Sequence, residues 1–266
     1  MPEMLTLGLE EPAHPRGDPG YQLDVGGVLS RTFSVTFSNL PSFVLVGLLV
    51  YSPVLLLHGL GVASARQGVL FSLIANLLKS LLAFVLSGAL TFGVIRSLRG
   101  QNATVGEIAE AGAASLGRVL VVSLLVGIAF VVGFVLCIVP GIILACMNWL
   151  AVPVAVIERP GIRASLERSH QLTSGTRLAV FAVLLVIGMI VGVVTFAATS
   201  GLAMASAALT ETADLTGRAY SLTQVALTLV LLPFECLQAA AAAVGYQDLR
   251  LHREGADVDD LVRVFE

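Results

Sequence analysis

Apolar residues along this chain fall into six long runs, at roughly 42–62, 69–95, 118–139, 140–157, 177–205 and 221–247. A helix needs ~20 apolar residues to cross ~30 Å of hydrocarbon, so the runs predict six transmembrane helices. The fourth is the shortest and starts at the Pro140-Gly141 turn; the fifth is the longest, and its outer end projects or tilts. Three of the runs open on nearly the same words: Val46-Gly47-Leu48-Leu49-Val50, Val122-Ser123-Leu124-Leu125-Val126 and Ala182-Val183-Leu184-Leu185-Val186.

Before each of these three runs lies an amphipathic stretch of helical period. In the first, Val25, Val28, Leu29, Phe33, Phe37 and Leu40 form the apolar stripe and Ser30, Arg31, Ser34 and Ser38 the opposite side. Pro41 suits the first turn of the following span. The second opens at Thr104 with Glu107 three residues on, a capping box. Its stripe is Val105, Ile108, Ala109 and Leu116, with Gly112 as a gap. The third runs from Gly161 to Gly175, with Ile162, Leu166, Ser169 and Leu172 on one face. Such segments are too short and polar to span. They lie in the membrane interface or pack on the ends of the spans.

The chain therefore reads as an all-α polytopic membrane protein. Its six transmembrane helices form three parallel repeats of amphipathic elbow helix plus helical hairpin, at 25–100, 104–158 and 161–250. Residues 1–24 and 256–266 read as cytoplasmic tails, the first disordered around its prolines. The membrane domain covers 25–255. Nothing in the pattern tells whether the centre of the three repeats is packed or hollow.

Composition supports this picture. Charged residues make up 12% of the chain, half of what a soluble domain of about 25% carries, and mean hydropathy is +0.92. The acidic, late-hydrophobic start is unlike a secretory signal. A net charge of −3 without a basic cluster excludes a nucleic-acid partner. Twelve arginines fall on one side of the spans: Arg16, Arg31, Arg96, Arg99, Arg118, Arg159, Arg163, Arg168, Arg177, Arg250, Arg253 and Arg263. The other side has Arg66 and Arg218. The positive-inside rule then puts both termini in the cytoplasm of a multi-pass inner (plasma) membrane protein. Cys137, Cys146 and Cys236 lie in apolar runs as small hydrophobes, without metal or disulfide spacing.

Candidate chemistry lies in the intramembrane polar groups. Lys79 is in the second span and Glu235 in the sixth, about 7.5 Å apart in depth by helical rise. Asn148 and Gln238 map near the same layer, and Pro233 frees a backbone carbonyl beside Glu235. This set is either a proton or ligand relay centred on Glu235, or a structural Lys–Glu pair. His58 and Tyr246 read as groups near the membrane interfaces. Gly188 and Gly192 form a GxxxG pair for close helix approach, most simply within the chain.

At the cytoplasmic face, Arg163, Arg168, Asp248, Arg250 and Arg253 are candidates for a lipid headgroup or a protein partner. The competing reading for that cluster is a helix-surface pair such as Arg250 with Glu254. No GxSxG, HExxH or P-loop is present, which argues against an enzyme and against any cofactor or metal.

The unit ends carry a resemblance. The stretch Gly245-Tyr246-Gln247-Asp248-Leu249-Arg250 to Glu254-Gly255 resembles a Y-x-D-L-R…EG ending. Pro153 to Glu158, followed by Ala164-Ser165-Leu166-Glu167-Arg168-Ser169-His170-Gln171-Leu172-Thr173-Ser174-Gly175, is similar to a P-x-x-x-x-E…A-L-x-R-S-W-x-L-T-x-G pattern, with His170 in the aromatic's place. Gly88 to Gly93 also fits. These belong to the glycerophosphoryl diester phosphodiesterase membrane-domain family and the related YciC-like bacterial inner-membrane proteins. The resemblance spans about residues 25–255 and implies no activity, because a phosphodiesterase barrel of about 250 residues has no room here. The expected role is a non-enzymatic membrane module, a scaffold or accessory subunit engaging membrane lipids and a partner or second copy at the cytoplasmic face. The alternative is a transporter or lipid-handling protein with its polar layer around Glu235.

Overall fold

The structure, a computed structural model, describes residues 23–59, 68–101, 103–210 and 216–254, with side chains described for 23–59, 74–101, 103–205 and 221–253. Of the expected tails, residues 1–22 and 256–266 fall outside the described residues, as do Arg66 and the side chains of Arg218 and Glu254, whereas Leu23 is buried and Asp24 precedes α1. The described residues form helices joined by short turns, without a strand: α1 Val25–Ser38, α2 Leu40–Gly59, α3 Gly68–Leu98, α4 Val105–Leu136, α5 Ile138–Asn148, α6 Ala151–Ile157, α7 Ile162–Thr173, α8 Arg177–Thr210 and α9 Thr216–Glu254. Six segments among them are long and apolar enough to cross a membrane, α5 and α6 together making one.

Local chemistry accounts for the boundaries. Thr104 accepts from the Glu107 amide while the Glu107 carboxylate accepts from the Thr104 amide, closing the capping box at the start of α4. The second amphipathic segment is not a separate elbow. It runs unbroken into its span as α4, because no proline or left-handed residue interrupts it. The turn between the third and fourth spans is at Cys137, whose extended backbone separates α4 from α5, three residues earlier than Pro140-Gly141. Pro140 instead sits in the first turn of α5, where its missing N–H has no partner to lose. Pro153 lacks the N–H that would bond to Trp149, and its ring crowds that carbonyl. The chain breaks there, between Asn148 and Ala151.

Packing places α9 at the centre. It meets α1, α2, α3, α6, α7 and α8, and its stretch Ala239–Leu249 is buried throughout. Its alanines let backbones approach, the device that substitutes for the hydrophobic effect between helices in lipid. Gly245 is the tightest point: a Cβ there would lie 2.4 Å from the Trp149 ring. Gly112, a gap in the expected stripe of α4, is likewise a contact, since a Cβ would come within 2.7 Å of the Ala89 Cβ of α3. Exposure runs opposite to a soluble protein. The highly apolar α8 span is 17% buried, whereas the less apolar α9 span is 44% buried. Apolar side chains such as Val135, Met189 and Phe196 point outward, as they do when lipid is the solvent.

The amphipathic helices pack on the ends of the spans, α1 against α9 and α8 and α7 against α6 and α5. Their buried faces are rotated from the expected stripes. On α1 they are Val28, Thr32, Val35 and Thr36, with Phe37 exposed. Thr32 can turn inward because its hydroxyl donates to the Val28 carbonyl at 2.7 Å.

Candidate functional site

Between α3, α4, α5, α8 and α9 lies a cavity of about 810 Å³. Its wall is mainly apolar, with Phe84, Phe130, Trp149 and Leu184 among the lining side chains. Asn148, Glu235 and Gln238 lie on the same wall, so three of the four intramembrane candidates share one space. Phe130, Leu185 and Met189 line it and are also exposed, so the cavity opens at the side of the bundle. The centre of the protein is therefore packed by α9 at the arginine-rich end and hollowed to one side of it.

Each polar group is held differently. Glu235 accepts a hydrogen bond from the Tyr51 hydroxyl, whose side chain is fully buried on α2. Lys79 lies outside the cavity lining and is half-buried. No ion pair joins it to Glu235 among the described residues. The expected Lys–Glu pair is not formed among the described residues, and the direct partner of Glu235 is Tyr51. Gln238 follows Glu235 by three residues and is exposed to the cavity, with no hydrogen bond among the described residues. Asn148 donates to the Leu144 carbonyl at 2.9 Å, which leaves its side-chain oxygen facing the His170 Nε2 at 3.3 Å. The cavity wall is thereby tied to α7. Burial, with help from the Arg177 charge, holds His170 below its ordinary pKa, so the imidazole favours its neutral form.

The arginine-rich end forms a second polar assembly. Glu158, which closes α6, accepts from Tyr246 at 2.9 Å and from Arg168 at 3.0 Å. Arg250 in turn donates to the Tyr246 hydroxyl at 2.9 Å and lies over its ring. Asp248 is fully buried and pairs with Arg31 of α1. Arg253 donates to the carbonyls of Gln171 and Ser174 at the C-terminal end of α7, where a cation also meets the helix dipole. Arg168, Asp248, Arg250 and Arg253 are thus engaged inside the fold. Arg163, 92% exposed and paired with Glu167, remains on the surface.

Three sequence expectations change here. Tyr246 is not an interface anchor, because its hydroxyl turns inward to Glu158. His58 is buried, with Nδ1 against the Val54 carbonyl at 2.9 Å. Gly188 and Gly192 make no close helix approach among the described residues, where added Cβ atoms would meet nothing within 4 Å. Tyr51 was missed as a site residue. Its signal was available, a phenol inside an apolar run, but its link to Glu235 crosses 184 residues.

Glu158, Arg168, Tyr246 and Arg250 form one hydrogen-bonded chain. No protein-family model, curated protein or solved structure matches the chain. What the fold defines is a helical protein with six candidate membrane-spanning helices, suggesting a multi-pass membrane protein.

Proposed function

We propose that this protein binds an amphipathic molecule or lipid within the bilayer and is a non-enzymatic lipid-handling or transport module. The observation that carries the reading is the side-opening cavity with Glu235, Gln238 and Asn148 on an otherwise apolar wall. Its size lies within the ~300–1,000 Å³ range of small-molecule sites, and such sites pair an apolar lining with a few placed polar groups. An apolar tail fits beside Phe84 and Leu184, while a hydrogen-bonding head meets Gln238 and the carboxyl of Glu235 that Tyr51 orients. The scaffold reading keeps Arg163 on the surface, while three of the four arginines it relied on, Arg168, Arg250 and Arg253, bond within the protein.

In this proposal the spans lie in the cytoplasmic membrane with both termini inside, which the arginine distribution supports. The chain is three elbow-plus-hairpin repeats, with α4 fusing elbow and span, and it is kin to the glycerophosphoryl diester phosphodiesterase membrane-domain family. Partners are membrane lipids, with a second copy or protein partner open to the exposed Arg163 surface.

The test is native mass spectrometry of the protein released from lipid nanodiscs, as wild type, Glu235→Gln and Gln238→Leu. A discrete bound amphiphile present in wild type and lost from Gln238→Leu supports the reading. Bulk lipid alone in all three, with folding intact, refutes it.

A further inference from the structure

The side-opening cavity has a sign as well as a size. Among its described lining residues Glu235 is the one acid, and no lysine, arginine or histidine lines it. Tyr51 donates to Oε2 of Glu235, and Oε1 has no hydrogen-bond partner among the described residues. Lys79, the basic group expected in that layer, stands outside the lining and makes no ion pair among the described residues. A carboxylate on an apolar wall is costly until a cation joins it.

The rest of the wall favours the same sign. Phe84, Phe130, Phe134, Trp149 and Phe181 line the cavity, five rings in a chain that is 6% aromatic. They come from α3, α4, the break between α5 and α6, and α8, so rings flank the space from several sides. Ring faces attract cations, that of tryptophan most strongly. Pro153, on the same wall, brings no N–H to the Trp149 carbonyl, so the break offers an acceptor rather than a donor. A phosphate or carboxylate head would enter with no cation to meet it.

We propose that the occupant of this cavity is a lipophilic cation, an ammonium group on an apolar tail, an assignment that rests on the cavity being a ligand site. The ammonium meets Oε1 of Glu235 and the Trp149 ring. The tail leaves between α4 and α8, past Phe130, Leu185 and Met189, which are exposed at the opening. Phospholipids are disfavoured as occupants because their phosphate stays unpaired there.

The experiment titrates three probes with the same tail, dodecyltrimethylammonium, dodecanol and dodecylphosphocholine, onto the full chain in neutral detergent micelles. Emission of Trp149, the chain's one tryptophan and part of the lining, reports occupancy. Wild type, Glu235→Gln, Glu235→Asp and Lys79→Met are compared, with thermal unfolding alongside. Wild type should bind the ammonium ahead of both other heads. Glu235→Gln should weaken the ammonium about tenfold, the effect of losing one charge-assisted contact, and leave dodecanol unchanged. Glu235→Asp, which keeps the charge, and Lys79→Met should keep the preference. Equal binding of the three probes by wild type overturns the cation and leaves the cavity as a site for neutral amphiphiles. Phosphocholine bound ahead of the ammonium overturns it in favour of a phospholipid. A preference that survives in a folded Glu235→Gln, or that appears only in Lys79→Met, also overturns it. If no probe alters the emission, the reading of the cavity as a ligand site falls as well.

Discussion

Glu158 joins three helices through one carboxylate, and the consequences of neutralising it follow from the geometry. One oxygen accepts from Tyr246 of α9 at 2.9 Å and the other from Arg168 of α7 at 3.0 Å. The side chains of Glu158 and Arg168 are 16% and 26% exposed, so the pair is neither solvated nor sealed. Breaking a fully buried pair costs about 3–5 kcal/mol and an exposed one about 0–1 kcal/mol. Glu158→Gln keeps the shape but removes the charge, and the expected loss lies between, at about 2 kcal/mol. Tyr246→Phe removes both hydrogen bonds of that hydroxyl, the one donated to Glu158 and the one accepted from Arg250, at about 1–2 kcal/mol. Because both changes strike one chain of bonds, the double variant should lose less than the sum, with a coupling of about 1 kcal/mol. Equilibrium unfolding in mixed detergent micelles measures all three at one lipid content. Additivity to within about 0.3 kcal/mol would refute the claim that Glu158, Tyr246, Arg168 and Arg250 act as a unit.

Two further outcomes are accessible. Gly245→Ala places a Cβ against the ring of Trp149, the chain's one tryptophan, so the cavity wall must shift. The variant should lose about 1–3 kcal/mol and change the tryptophan emission; an unaltered spectrum and unfolding curve would sink the packing assignment. His170 binds protons more weakly folded than unfolded, so its contribution is fully present above the ordinary value of 6.5 and lost as pH falls through its lower folded value. The wild-type unfolding midpoint should therefore fall on acidification below pH 6.5 more than that of His170→Gln; parallel pH profiles would remove His170 from the account.

Pattern alone showed the helical class, the six spans, the Thr104–Glu107 cap and the place of Pro41 in the first turn of α2. These features are local, set by residues three or four apart or by the mean hydropathy of a run. Depth counting along the spans also brought Asn148, Glu235 and Gln238 to one layer, because helical rise is constant. Rotation about each helix axis was not legible. A span that is apolar all round has no marked face, so nothing local says whether Tyr246 looks to lipid or to Glu158, 88 residues away.

The sequence by itself thus determined which segments are helices and how far along its helix each residue lies, since both follow from backbone hydrogen bonding and hydropathy along one dimension. The tertiary structure alone decided which faces meet. Arg31 finds Asp248 across 217 residues, Tyr51 finds Glu235, and the α9 alanines fill one side of the centre while the other stays open. The physical reason is that lipid solvates every apolar face alike. The choice between faces is then left to close packing of small residues and to the need of buried polar groups for partners.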